Sequence, residues 1–390
     1  MNLPKKKVAV LGSTGSVGEQ ALDVCAFQGY EVTGIAAGKS VKRLEEQIRR
    51  FRPAYCAVAD KNAAADLKVR IADTDTVILS GESAAEELAS LTDADTVLNA
   101  VTGFAGLRPT VAAIRAGKDV ALANKETMVA FGERVMALAA EKGVKILPVD
   151  SEHCAIFQCL RGSRKEDVRR LIITASGGPF YGKTKEELSR VTAENALAHP
   201  TWSMGKRITI DSSTLMNKGF EVIEAVRLFG VSPEKIDVVI HRESIIHSMV
   251  EYNDSAVIAQ MALPDMRLCV QYALTCPDRV AGQLDPIDFT RLGALTFAVP
   301  DAEAFPLLPL AFEAVKAGGT VPAAMNAADE VAVSLFLAGK IGFLSIPELV
   351  TEVTRNAAAR QRSAEKKELT LADVEEADRA AREETRRLAG

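Results

Sequence analysis

This 390-residue chain has no excess of positive charge, no closely spaced cysteine pair and no long apolar run. Lys and Arg total 47 against 52 Asp and Glu, for a net charge of -5. The isoelectric point is near 5.7. That balance gives no support to a nucleic-acid-binding surface. No stretch approaches the roughly 18 apolar residues that a spanning helix needs, so no membrane segment is expected. The basic start, Met1 to Lys7, leads into Val8-Ala9-Val10-Leu11, which is too short for a signal peptide and meets Gly12 at once. Six cysteines are scattered without a C-x-x-C pair. They read as reduced, buried thiols of a cytoplasmic protein. Internal repeats and low-complexity tracts are absent too. What remains is ordinary globular material, 48% hydrophobic and 25% charged, enough for two or three domains.

The fold class reads as α/β. From residue 6 to 150, short apolar runs alternate with amphipathic stretches. Strands are expected at 7–11, 31–36, 55–59, 76–79, 96–100, 119–121 and 145–148. Helices between them include 16–27, 41–51, 83–90, 106–116 and 125–142. Such alternation predicts a Rossmann-like, doubly wound parallel sheet with its ligand beyond the carboxyl ends of the strands. Residues 151–285 read as a central α+β catalytic domain, with strands near 171–174, 237–241, 248–251 and 256–262 and a helix over 217–229. Within it, 176–206 is rich in Gly, Pro and polar residues and holds the only tryptophan, Trp202; it is read as a lid loop. Residues 286–302 form a linker, and 303–390 a C-terminal helical bundle with helices near 306–317, 323–337, 346–359 and 371–388.

The stretch Pro148-Val149-Asp150-Ser151-Glu152-His153 carries the strongest chemical signal. Read as extended backbone, i and i+2 alternation turns Asp150 and Glu152 to one side. Two like charges that close call for a cation, and oxygen ligands suit Mg²⁺ or Mn²⁺. Gly12-Ser13-Thr14-Gly15-Ser16-Val17-Gly18 follows a strand and opens a helix, so its backbone amides suit a pyrophosphate. At the end of the second strand, Gly38-Lys39-Ser40 offers no acid for a ribose; its cation and hydroxyl favour a 2′-phosphate, hence NADP. Asn124 and Lys125 close a later strand and face the same crevice, where a lysine can steady developing negative charge. Ser212 is read as opening the helix that holds Asn217, Lys218 and Glu221, with Asn217 and Glu221 on one face. Glu221 is then a candidate third carboxylate. Ser176-Gly177-Gly178 and, in the lid, His199 offer further anion contacts.

Taken in order, G-S-T-G-S-V-G at 12–18, A-N-K-E at 123–126 and V-D-S-E-H at 149–153 form one pattern. It continues through A-S-G-G-P-F at 175–180, H-P-T-W-S-M-G-K at 199–206 and D-S-S-T-L-M-N-K-G-F-E at 211–221. The chain thereby resembles the 1-deoxy-D-xylulose 5-phosphate reductoisomerase family over nearly its whole length. The resemblance implies conversion of that sugar phosphate to 2-C-methyl-D-erythritol 4-phosphate in non-mevalonate isoprenoid synthesis, with NADPH and a divalent metal. It implies a carbon-skeleton rearrangement by retro-aldol cleavage and aldol recombination, then hydride reduction of the aldehyde. It assigns Asp150, Glu152 and Glu221 to the metal, and Lys125 and Ser151 to the substrate's polar end. Ser176, Ser212, Asn217 and Lys218 fall to the phosphate end, with His199 closing over it. Thr14, Gly15, Ser16, Val17, Gly38, Lys39, Ser40, Asn124, Glu126 and Gly205 are implied contacts of NADPH. A homodimer and inhibition by fosmidomycin also follow from the resemblance.

Two rival readings remain at the level of sequence. An NADP-dependent dehydrogenase of the homoserine or aspartate-semialdehyde type shares the glycine loop. It leaves the D-S-E and N-K-G-x-E groups unexplained, and the semialdehyde type needs a nucleophilic cysteine, for which Cys154 is the nearest candidate. A non-catalytic NADP-binding regulator has no use for three converging carboxylates.

Overall fold

A computed structural model gives the fold and describes residues 5–198, 205–362 and 368–390. The chain divides into two compact units. The first comprises Met1–Thr127, Val135–Cys154 and Asp265–Asp285; the second comprises Met128–Arg134, Ala155–Pro264 and Pro286–Gly390.

Short apolar runs build the first unit. They form β1 (Lys7–Leu11), β2 (Glu31–Ala37), β3 (Tyr55–Val58), β4 (Val77–Ser80), β5 (Thr96–Asn99), β6 (Asp119–Leu122) and β7 (Ile146–Pro148). All pair in parallel, in the order β4-β3-β2-β1-β5-β6-β7. Val8, Ala9, Val10 and Leu11 have no exposure at all. A strand covered on both faces carries a continuous apolar run rather than an alternating one. Winding proceeds outward from β1 to β4 on one side and from β5 to β7 on the other. The reversal between β1 and β5 is where the carboxyl edge opens for a ligand. A helix follows every strand from that edge, among them α1 (Ser16–Gln28) after β1, α2 (Lys125–Lys142) after β6 and α3 (Ser151–Cys159) after β7.

The second unit has a four-stranded sheet of β8 (Val168–Ala175), β9 (Ile236–Ile240), β10 (Ile246–Tyr252) and β11 (Val257–Met261), ordered β11-β10-β8-β9. Only β8 and β9 run parallel. The helices α4 (Lys206–Ser213) and α5 (Met216–Phe229) precede β9, and α6 (Leu307–Ala317), α7 (Val321–Leu337), α8 (Ser345–Arg362) and α9 (Leu371–Leu388) close the chain. Among these, α7 is apolar nearly all round: Ala323, Ala324, Met325, Ala327, Ala328, Val331 and Ala332 are all buried. A helix of that kind belongs in a core. The elements lie within one or two residues of most expected bounds, and residues 286–302 contain only an isolated bridge between Ile240 and Ala298.

Asp329 on α7 is fully buried, with the Arg207 guanidinium at 3.5 Å. Burial pushes its carboxyl up to about 6, although Arg207 and a hydrogen bond with Asp211 pull the other way. A raised acid holds its proton more tightly in the folded state than in the unfolded one. Its contribution is therefore complete below about pH 4 and is lost as pH rises through about 6. Asp329→Asn removes that loss. Relative to wild type, the variant is expected to gain roughly 2 kcal/mol of stability between pH 4 and pH 7. Thermal unfolding across that range checks it, and a constant difference between the two proteins would contradict the assignment.

Candidate functional site

The glycine loop turns from β1 into α1 with Gly15 as the residue before the first helical turn. Gly15 and Ser16 are exposed while Gly18 is buried. A Cβ on Gly18 would lie 2.1 Å from the Gly12 carbonyl oxygen, so no larger residue fits that helix-to-loop contact. The loop is also tied down from outside. Gln47 accepts from the Ser13 hydroxyl at 2.7 Å and donates to its carbonyl at 2.9 Å; Arg43 donates to the Thr14 carbonyl at 2.9 Å. Neither Gln47 nor Arg43 was evident from sequence, because each acts from a helix some thirty positions away. Gly38 and Lys39 stand exposed just past β2, at the same edge of the sheet. Fixed amides at a helix start, with a free cation-bearing turn beside them, make an anion-binding edge.

Asn124 and Glu126 sit at the head of α2 and are buried. The Asn124 amide donates to the carbonyls of Val101 and Gly103 at 2.7 and 2.9 Å and to Glu126 at 2.8 Å, and its oxygen caps the helix by accepting from Thr127 at 2.9 Å. Glu126 accepts from the Gly103 amide at 3.0 Å. These two side chains thus hold the 101–103 turn at the carboxyl edge.

The carboxylate pair departs from its sequence reading. Residues 149–153 are not extended: β7 stops at Pro148 and α3 begins at Ser151. The Asp150 carbonyl already accepts from the Cys154 amide at 2.8 Å. Asp150 therefore precedes the helix and Glu152 occupies its first turn. The helix start, rather than strand alternation, brings a carboxylate oxygen of each within 4.8 Å of the other. Negative groups at a helix N-terminus are favoured by the unpaired amides and the dipole. The Lys125 ammonium, itself buried, donates to Asp150. On the other side the His153 ring stands 3.0 Å from Asp150. Burial alone would raise the Asp150 carboxyl, but the Lys125 ammonium and His153 outweigh it and hold it well below the usual carboxylate range. Ser151 donates to Glu152 at 2.6 Å. Two ionised or hydrogen-bonded carboxylates on one turn form a hard oxygen donor set, which fits Mg²⁺ or Mn²⁺.

The second unit assembles the remaining residues. Ser212 was expected to open a helix and instead lies in the last turn of α4. A break follows in which Leu215 adopts φ 58°, and α5 then starts at Met216. On α5 the four-residue spacing works as expected: the Asn217 amide donates to Glu221 at 2.6 Å, and Lys218 donates to the other Glu221 oxygen. Glu221 is fully buried and Lys218 nearly so. The turn after β8 packs on the end of α4. Gly178, at φ +65°, leaves only 2.6 Å between a built Cβ and the Ser212 carbonyl oxygen, which reserves that position for glycine. The Ser176 hydroxyl accepts from the Gly178 amide at 3.2 Å. Arg242 clamps this turn by donating to the carbonyls of Ser176 and Gly178, both at 2.8 Å, with its guanidinium 5.1 Å from the Tyr181 ring centre. No local signal marks Arg242, since its partners are more than sixty positions away. Gly205 is exposed before α4. His199 and Trp202 lie outside the described residues.

Comparison with known proteins is uniform over this architecture. Residues 8–132 match the family model for 1-deoxy-D-xylulose 5-phosphate reductoisomerase. Residues 146–229 match the model for that enzyme's C-terminal domain, and 261–384 a further C-terminal domain of DXP reductoisomerase. The 1-deoxy-D-xylulose 5-phosphate reductoisomerase of Acaryochloris marina is 49% identical over 383 residues, covering 97% of this chain and 94% of its own. Among solved structures, the Zymomonas mobilis reductoisomerase in complex with NADPH superposes with a TM-score of 0.90 at 42% identity, covering 99% of both chains. A DOX-P reductoisomerase in complex with NADPH, fosmidomycin and magnesium gives 0.94 at 37% identity over 98% of both.

Proposed function

The chain belongs to the 1-deoxy-D-xylulose 5-phosphate reductoisomerase family, and from that premise we propose which of its residues perform each part of the reaction. It is an NADPH- and divalent-metal-dependent oxidoreductase that converts 1-deoxy-D-xylulose 5-phosphate to 2-C-methyl-D-erythritol 4-phosphate in isoprenoid synthesis. A semialdehyde or homoserine dehydrogenase and a non-catalytic regulator fall away with that membership. The observation that carries the residue-level reading is the Asp150 and Glu152 pair at one helix start, charge-matched by Lys125.

Asp150, Glu152 and Glu221 are the proposed metal ligands. When bound, the divalent ion supplies Lewis acidity to the substrate's carbonyl and hydroxyl oxygens, and NADPH supplies the hydride. Lys125 keeps Asp150 ionised and stands where the substrate oxygen gains negative charge, which a fixed ammonium stabilises. Ser151 orients Glu152 through its hydroxyl. Ser176, Ser212, Asn217 and Lys218 grip the phosphate end, with His199 closing over it; binding a remote anion helps to position the reacting carbons. Thr14, Gly15, Ser16 and Val17 meet the NADPH pyrophosphate, and Gly38, Lys39 and Ser40 its 2′-phosphate. Asn124, Glu126 and Gly205 line the nicotinamide side, the first two by holding the 101–103 turn. The corresponding division is an NADPH-binding domain over 1–150, a catalytic domain over 151–285 with a lid at 176–206, a linker over 286–302 and a helical domain over 303–390.

The active form is proposed to be a homodimer. Its support is β11, the edge strand of the second sheet, where Val257 and Ile258 are 49% and 47% exposed; an open apolar edge invites a second copy. Among the described residues no helix is long and apolar enough to cross a membrane. The free cysteines, mostly buried, support a cytoplasmic location.

Asp150→Asn is expected to abolish metal-dependent turnover, by at least a hundredfold, while NADPH affinity changes less than about threefold. Steady-state rates with a Mg²⁺ titration and an NADPH fluorescence titration measure both. Full activity at saturating Mg²⁺ would remove Asp150 from the metal site. Lys39→Ala should raise the Michaelis constant for NADPH roughly tenfold and leave that for NADH alone; equal effects would argue against a 2′-phosphate contact. Sedimentation at micromolar concentration is expected to give about twice 41.7 kDa, and a monomer at that concentration would overturn the dimer.

A further inference from the structure

Ser212 stands in the last turn of α4, five residues beyond Arg207 and about 7 Å along the helix axis. Arg207 fixes the opposite end of that short helix. Its side chain is 16% exposed and donates to Glu330 at 2.9 Å and to Asn326 at 3.0 Å. Asp329 lies at 3.5 Å and Asp211, one turn on in α4, at 3.6 Å. Asn326, Asp329 and Glu330 share one face of α7 by their three- and four-residue spacing. The second Glu330 oxygen accepts from Arg382 of α9 at 2.6 Å, and Arg382 is held by Asp378 at 2.7 and 2.9 Å. One planar guanidinium therefore joins α4 to the core helix of the bundle, with donors in several directions that a lysine cannot reproduce.

We propose that Arg207 is a positioning residue for the phosphate end of the substrate site, setting where Ser212 stands against the Ser176–Gly178 turn. The inference rests on the assignment of Ser176 and Ser212 made above. Its physical basis is charge. Without the guanidinium, Asp211, Asp329 and Glu330 face one another with one cation fewer among them, and Arg382 is already engaged by Asp378 and Glu330. Burial already holds the Asp329 proton up to about 6 against the pull of Arg207; without that pull Asp329 moves higher still, and Asp211 and Glu330 lose the cation that stood between α4 and α7. Relief comes from displacing α4, the shorter element, and α4 carries Ser212 with it. A displacement of about 1 Å at a positioning group can reduce turnover efficiency on the order of a hundredfold. The seat of NADPH in the first unit does not involve α4 beyond Gly205, so the two substrates should respond differently.

The test compares Arg207→Gln, Arg207→Lys and Arg382→Gln in the full-length protein with Mg²⁺. Arg207→Gln is expected to raise the Michaelis constant for deoxyxylulose phosphate at least tenfold, with that for NADPH within twofold of wild type. Arg207→Lys should recover part of the loss. Arg382→Gln breaks the same network without touching α4, so it should lower Tm and leave both Michaelis constants in place. Equal kinetic effects from Arg207→Gln and Arg382→Gln, or a wild-type constant in Arg207→Gln, would overturn the proposal. Should Arg207→Gln fail to fold, Arg207→Lys carries the comparison, with a rise of at least threefold expected and an unchanged constant contradicting it. Inorganic phosphate gives a readout independent of turnover: it should raise the Tm of wild type and Arg382→Gln more than that of Arg207→Lys. Phosphate protection of this pattern without turnover in wild type would sink the functional reading and leave the role of Arg207 standing, whereas equal protection in all three would sink the role of Arg207.

Discussion

Placing two carboxylates on one turn of helix is electrostatically unfavourable, and the Lys125 ammonium against Asp150 is what makes the arrangement tolerable here. The pairing fixes several things together. It ties the start of α2 to the start of α3, and so aligns the carboxyl ends of β6 and β7. It keeps Asp150 ionised in a buried setting, ready to act as a hard oxygen ligand. A buried carboxylate without such a partner would take up a proton and lose its affinity for a divalent cation. His153 supports the same carboxylate from the opposite side, so the orientation of Asp150 is set before any ligand arrives.

The same logic of fixed charge recurs elsewhere in the chain. Glu221 is held between Asn217 and Lys218 on α5, and Arg207 is held among four acceptors on α4 and α7. Arg242 pins the Ser176–Gly178 turn through two carbonyls. In each case a long cationic side chain orders a short polar segment. Polar site residues placed in this way lose little further freedom on binding, which is the physical meaning of preorganisation.

Much of the first unit was legible because fully covered parallel strands are short apolar runs, and the helices between them keep one polar face. The helix at 151–159 was not. His153, Cys154, Ala155 and Ile156 are all buried, so the segment has no polar face to announce a helical period, and the D-S-E triplet reads as extended backbone. The break between α4 and α5 was hidden for another reason: Leu215 takes a positive φ that usually signals glycine. The roles of Arg207, Arg242 and Gln47 depend on partners far along the chain, which no local pattern encodes. The residue types at the site were readable all the same, because metal, phosphate and dinucleotide chemistry each demand a narrow choice of side chains.

The most direct test of the whole account is oxidation of NADPH by the purified protein in the presence of 1-deoxy-D-xylulose 5-phosphate, followed before and after removal of divalent ions with a chelator. Turnover that disappears with the chelator and returns with Mg²⁺ or Mn²⁺ is the predicted result. NADPH consumption that persists without metal, or none with both metal and sugar phosphate supplied, would contradict it.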